Sequence, residues 1–367
     1  MCKVNTVDNI SAWTAQITES IQSYQRPFRY LGVFPFIEST GTTKVNRLAL
    51  AWSYCIATIV LALSLQYLVI SPTTFDLPKI LVIISKILSI TVATSQIVSV
   101  TFLVIYRHTL NSVFQILRQI DRKLTGLNPK FSFKYPISSI TLLMITLVLL
   151  IICSPSIESR KEISVFWLTT FFIHIIAYLY TRTILLIKYC FNFINKSLKQ
   201  EANNLAMLLD CYDLLLNCCD DFNKCIGPSL LTIMTSSFCI LTFDFYLLFS
   251  TKYNDIYVNL RSIIGILFYI NLVMHVIWTS HSTVKEAESF KDTITKFAYE
   301  GNSDQIRKAM ILLTSDKTVV FSACDLFDMD FKMVCSMAAG ITTYIVVLLQ
   351  MGNDNVATSP APSADTV

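Results

Sequence analysis

Apolar residues gather in seven long runs along the chain: Leu48 to Ile70, Ile80 to Tyr106, Ile137 to Cys153, Ile163 to Ile187, Ser229 to Ser250, Arg261 to Ser280 and Phe331 to Met351. A helix needs about 20 mostly apolar residues to cross hydrocarbon. The pattern therefore predicts an all-α polytopic membrane protein with seven transmembrane helices. The second run starts beside Lys79 and contains Lys86, whose long side chains can reach a wetter layer. The third is the shortest and stops at "SPSIESRKE". After the fourth run, Leu198, Leu205, Leu208, Leu209, Tyr212, Leu215, Leu216 and Cys219 recur at helical spacing. This predicts a stalk that continues the fourth span and ends at Gly227 and Pro228. After the sixth run, "TVKEAESFKDTITKFAYEGNSD" predicts a helix closed by Gly301, with Ser303 capping the next. The domain reading is a segment 1–47, a seven-helix body 48–351 with helical extensions 188–228 and 281–330, and a tail 352–367.

Composition strengthens the membrane assignment and charge orients it. Hydrophobic residues make up 53% and charged residues 15%, with a mean hydropathy of +0.56, whereas about a quarter of a soluble domain is charged. With the N-terminus in the cytosol, 22 of the 29 Lys and Arg fall inside and at most six outside. Basic residues in short loops stay cytosolic, so the N-terminus is expected in the cytosol and the C-terminus outside. G-protein-coupled receptors have the opposite orientation. The sequons at Asn9 and Asn195 then lie inside and should stay unglycosylated. Met1 to Arg47 is polar and lacks a short apolar core, so no cleavable leader is expected. Eleven cysteines, an odd number, are expected as reduced thiols; Cys211, Cys218, Cys219 and Cys225 have no histidine nearby and suit helix packing better than metal.

Enzymatic chemistry has little to stand on. The chain has four histidines and eight glycines, and no H-E-x-x-H, G-x-S-x-G or P-loop. No cofactor is expected, and the basic residues serve topology rather than nucleic acid. Polar residues inside the spans carry more information, because they are costly in lipid and turn toward protein or water. Gln96, Trp167, His174, Asp244, Tyr246, Tyr269 and Asn271, with Thr170 and Thr242, fall at similar depth in the second, fourth, fifth and sixth spans. Aromatic rings beside a few hydrogen-bonding groups suit a small-molecule cavity. The plainer alternative is that the hydroxyls bond their own helices and the rings join an interfacial belt.

On the last span, Ser336, Gly340, Thr343, Val347 and Gln350 or Met351 share one helical face. Two arrangements fit that stripe. A symmetric ring of such helices would enclose water, with Val347 and Met351 as apolar constrictions and Gln350 as polar lining. Alternatively, Gly340 marks a close helix contact in a single bundle.

The stretch "VVFSACDLFDMDFKMVCSMAAGITTYIVVLLQM", Val319 to Met351, resembles the C-terminal signature of insect gustatory receptors, with Thr343, Tyr344 and Gln350 at matching positions. Met351 stands where Phe is usual and Asp325 where Gly is usual. The resemblance implies a homotetrameric, ligand-gated, non-selective cation channel related to insect odorant receptors, alone or as a heteromer with related receptors. It implies that Val347 and Met351 gate the pore, that Gln350 lines it and that Tyr344 supports it. The implied partners are a small-molecule tastant, of bitter or other non-sugar type, monovalent and divalent cations, and membrane lipid, at the plasma membrane of a sensory neuron. A G-protein-coupled chemoreceptor and a transporter are the alternatives; the spans lack the paired internal glycines expected of a transporter.

Overall fold

The computed structural model describes residues 36–39, 42–45, 47–70, 90–91, 94–95, 97–124, 157–200, 205–249, 256–298 and 318–357. Seven helices lie in this set: α1 (Arg47–Ile70), α2 (Ile97–Ile105), α3 (Arg107–Leu124), α4 (Ile157–Gln200), α5 (Leu205–Phe249), α6 (Ile256–Ala298) and α7 (Phe331–Ala357). Two short antiparallel hairpins accompany them, β1 (Phe36–Ser39) with β2 (Thr42–Val45), and β3 (Ser322–Ala323) with β4 (Phe327–Asp328). The expected third span and the caps at Gly301 and Ser303 lie outside the described residues.

Among the described residues three helices, α5, α6 and α7, are long and apolar enough to cross a membrane, and the bent pair α2 and α3 is a fourth candidate. The pair turns by 69° at Tyr106. The backbone bonds Tyr106 N–H to Phe102 O and Leu110 N–H to Tyr106 O, both 2.9 Å, run through the bend. Beyond it, α3 buries Leu110, Val113, Phe114, Leu117, Ile120 and Leu124, the three-and-four spacing of one helical face.

The core is the seam where α4, α5 and α6 meet, with α3 packed on α5. Outside the apolar spans, Tyr212 stacks on Phe290 at 4.1 Å and donates its hydroxyl to Ala287 O at 3.1 Å. Asn195 Nδ2 donates to the backbone and side-chain oxygens of Glu286, both at 2.8 Å. The sequon asparagine is thus 3% exposed and spent on α6. Cys218 and Cys225 donate their thiols to Val113 O and Tyr106 O, at 3.8 and 3.7 Å. Burial pushes the Cys211 thiol up to about 11 and that of Cys225 up to about 12. These cysteines are packing groups of α5, each held as a thiol.

The predicted helix end at Gly227 and Pro228 is not observed. The stalk belongs to two helices, because α4 runs on to Gln200 and α5 passes straight through Pro228 to Phe249. Proline costs one backbone bond there, but packing on both flanks outweighs it, Cys225, Ile226, Ser229 and Leu230 being buried. Gly227 serves contact instead of termination: a Cβ there would meet Cys324 N at 3.1 Å and Ser322 O at 3.6 Å, so the β3–β4 hairpin rests directly on α5. Asn223 fixes it, donating Nδ2–H to Ser322 Oγ at 3.0 Å and accepting Ser322 N–H at 2.9 Å. The turn places Cys324 and Asp325 at φ 56° and 57°, the left-handed pair of a type I′ turn, which favours Gly, Asn and Asp. Asp325 tolerates the position and accepts Ser322 Oγ–H at 2.8 Å. The replacement of the usual glycine therefore leaves a left-handed turn in place.

Asp121, on the buried face of α3, is 7% exposed. Burial lifts its carboxyl to about 7 from an ordinary 3.8, with Arg122 pulling the other way. Between those values the folded chain holds more protons than the unfolded one, so stability falls as pH rises through the window and levels off above about 7. Thermal unfolding in detergent should show the wild type losing more stability between pH 5 and pH 8 than Asp121→Asn; equal slopes would refute the assignment.

Candidate functional site

Three neighbouring helices bring four of the expected ligand residues into the interior. On α4 and α6, Thr170 Oγ1 and Tyr269 Oη lie 2.9 Å apart, both residues fully buried. One turn along α4, His174 Nδ1 is 2.9 Å from the Thr170 carbonyl. Its ring lies 3.7 Å from that of Phe268 and 5.8 Å from that of Tyr269. His174 Nε2 is buried with no hydrogen-bond partner among the described residues. Asp244 of α5, 3% exposed, presses its carboxylate against Gly265 of α6, where a Cβ would collide with it. Arg261 is the cation acting on that carboxylate. A buried charge needs such company. Ser262, Gly265 and Tyr269 follow at three and four residues on α6, and Ser262 Oγ, like His174 Nε2, is buried without a partner among the described residues.

The remaining expected residues are distributed differently. Tyr246 is buried at 4%, whereas Asn271 is exposed on the outside of α6, away from the cluster. Trp167 lies on α4 with its side chain outside the described set, and Gln96 lies outside it altogether. Thr94 and Thr242 donate to their own helices at Ile90 O and Phe238 O, 2.9 and 2.8 Å. Phe268, Gly265 and Ser262 were missed by sequence reasoning. For Ser262 and Gly265 the signal was the three-and-four spacing that ends on Tyr269, which marks one face of a helix; Phe268 gave none.

The last helix is the exception to burial. In the apolar stretch of α5 67% of residues are buried and in that of α6 44%, but in Phe331–Gln350 only 6%. One side of α7 meets α5: Ile341 is buried, a Cβ on Gly340 would sit 3.1 Å from the Phe238 ring, and Tyr344 meets that ring edge-on at 5.8 Å. The opposite side is open, with Ser336, Ala339, Thr343, Val346, Val347 and Gln350 exposed. Gly340 thus turns from the expected polar stripe toward the contact side, and Ala339 takes its place. Thr342 and Thr343 donate to Ala338 O and Ala339 O at 2.8 and 2.9 Å, which satisfies both hydroxyls within the helix. The helix continues past Met351, whose side chain is outside the described set, into the expected tail.

Two clefts adjoin α7 and its hairpin. An apolar one of about 480 Å³ lies between α5, α6 and α7, lined by Leu241, Phe245, Val273, Met337 and Ile341, with none of the expected ligand residues in it. A polar one of about 400 Å³ lies beside the β3–β4 turn and includes Asp220, Asn223, Lys224 and Asp325.

The family model for the 7tm chemosensory receptor matches residues 21–353. No curated protein sequence matches the chain significantly. The insect olfactory receptor OR5 from Machilis hrabei, solved alone and in complex with eugenol, shares the fold: in both structures the TM-score is 0.62 at 13% identity, covering 92% of this chain and 99% of that one. The helices, the length they span and the family match over residues 21–353 agree, and the chain belongs to the 7tm chemosensory receptor family.

Proposed function

We propose that this membrane receptor is a contact chemosensor, a gustatory receptor that opens as a ligand-gated, non-selective cation channel in the plasma membrane of a sensory neuron. The observation that carries the reading is the open side of α7. A membrane helix with only Ile341 buried in its apolar stretch, and Met337, Ile345 and Leu348 half-buried beside it, leaves a whole side for other copies, lipid or water. Thr343, Val346, Val347 and Gln350 give that side alternating polar and apolar positions, as a hydrated path with narrow apolar points needs. Four copies around an axis place these faces together. Val347 and Met351 then form the constriction, Gln350 lines it and Tyr344 braces it against Phe238.

The ligand is a bitter or other non-sugar tastant, bound at the cluster of His174, Tyr269 and Asp244. The body is one domain over 48–351, with its inner extensions at 188–228 and 281–330. Binding acts on α5, which carries Asp244 near its C-terminal end and Asn223, the partner of the β3–β4 hairpin, near its middle, about 30 Å away at 1.5 Å per residue. The hairpin leads directly into α7. A ligand that favours one arrangement of α4, α5 and α6 therefore has a mechanical route to the pore helix.

Orientation follows the charge balance, N-terminus inside. An epitope fused after Val367 should be labelled on intact cells, and one fused before Met1 only after permeabilisation; the reverse pattern would contradict the topology. For the pore, expression of the chain alone should produce tastant-evoked cation current. Val347→Ala or Gln350→Ala, at unchanged surface level, should alter relative permeability by about twofold or more. Unaltered permeation in both variants would remove α7 from the pore.

A further inference from the structure

The ligand cluster carries information on the chemistry of what it accepts. We infer that its ligand is a compact, largely apolar molecule that brings a hydroxyl or N–H donor to His174 Nε2. This rests on the cluster being the ligand site proposed above.

The hydrogen bond of Nδ1 fixes the tautomer of His174. His174 Nδ1 lies 2.9 Å from the Thr170 carbonyl oxygen. A carbonyl only accepts, so Nδ1 carries the hydrogen, and in the neutral imidazole Nε2 is a bare acceptor. That acceptor is buried and has no partner among the described residues. An unpaired buried polar atom is costly, and a ligand that pairs it recovers the loss. The immediate neighbours do not supply the donor: Phe268 presents a hydrocarbon ring at 3.7 Å, and the Tyr269 hydroxyl is engaged with Thr170 at 2.9 Å.

The shape of the demand is narrow. Thr170 and Tyr269 are hydrogen-bonded to each other. On α6, Ser262 Oγ is also buried without a partner among the described residues, about 10 Å along that helix from Tyr269. Two separated polar points in an aromatic setting suit an apolar body with one or two donors. A sugar, with hydroxyls around its whole ring, would bury most of them unpaired. A permanently alkylated cation has no hydrogen to give Nε2. Specificity of this kind arises because a site built around a hydrogen bond rejects the analogue that lacks it.

The test uses the full-length chain, purified in detergent, with binding read by ligand-dependent thermal shift and, separately, calcium imaging in cells. The probes are two matched pairs, indole with 1-methylindole and 4-propylphenol with 4-propylanisole, each differing in the donor hydrogen. In wild type the donor member of at least one pair should bind about tenfold more tightly. His174→Phe should bring the members within about twofold of each other, while His174→Gln, which keeps an acceptor, should retain part of the preference. Equal binding within both pairs, no binding of any probe, or a preference that survives His174→Phe would overturn the inference. Should His174→Phe fail to fold, the wild-type pairs alone decide. Donor-selective binding without current would sink the channel reading and leave this one standing; current evoked by other tastants, with no donor preference in binding, would do the reverse.

Discussion

The proposed assembly depends on a one-sided attachment. Helix α7 touches its own subunit along a single stripe, Gly340 and Tyr344 on Phe238 with Ile341 buried beside them, and presents the rest of its circumference outward. Hydrocarbon is no worse a solvent for Val346 and Val347 than protein is, so exposure of apolar residues alone carries no cost in a bilayer. The polar members of the open side change the balance. Thr343 can satisfy its hydroxyl on Ala339 O, but the Gln350 amide cannot be satisfied by lipid tails. A surface that mixes such groups is better served by other subunits and water than by lipid, and the assembly, gating and permeation proposed for this receptor all follow from that preference.

Under the function proposed above, the interior supplies the path from the ligand to that helix. Helix α5 is a single element from the stalk to the cluster around Asp244, and the packing around Pro228 keeps it so. Near its C-terminal end Asp244 fits against α6 only because Gly265 has no side chain; at its middle, Gly227 lets the hairpin backbone settle onto α5 while Asn223 holds it with two hydrogen bonds. Both glycines thus mark places where helices or backbone come into direct contact. Cores are bistable rather than soft, and small shifts at the Asp244 end have a rigid path to the residues that precede α7.

Much of this was legible from the chain, for identifiable reasons. Long apolar runs with polar interruptions show helical spans whatever their partners, so α1, α4, α5, α6 and α7 each cover an expected run. The convergence of Thr170, His174, Tyr269 and Asp244 was also readable, because intramembrane polar residues at equal depth have few places to go but toward each other. Propensity misled at Gly227 and Pro228, where tertiary packing outweighs two residues that usually end helices. Asn271 illustrates a second limit: depth is set by position along a helix, but facing is set by its neighbours, and α6 turns this residue outward. Gly340 makes the same point on α7, where rotation of the helix by part of a turn moves it from the open stripe to the contact with Phe238. Phe268 was hidden for a related reason, since a ring in an apolar run gives no sign that it will stack on a histidine.

The most direct measurement of the central claim is site-specific photo-crosslinking in native membranes, with a photoreactive amino acid placed at Thr343 on the open side of α7 or at Ile341 on the side against α5. A ring of subunits with their last helices facing one axis predicts crosslinked species up to four chains from Thr343 and only intrachain products from Ile341. Crosslinks from Thr343 confined to lipid, with the protein remaining a single chain, would contradict the account.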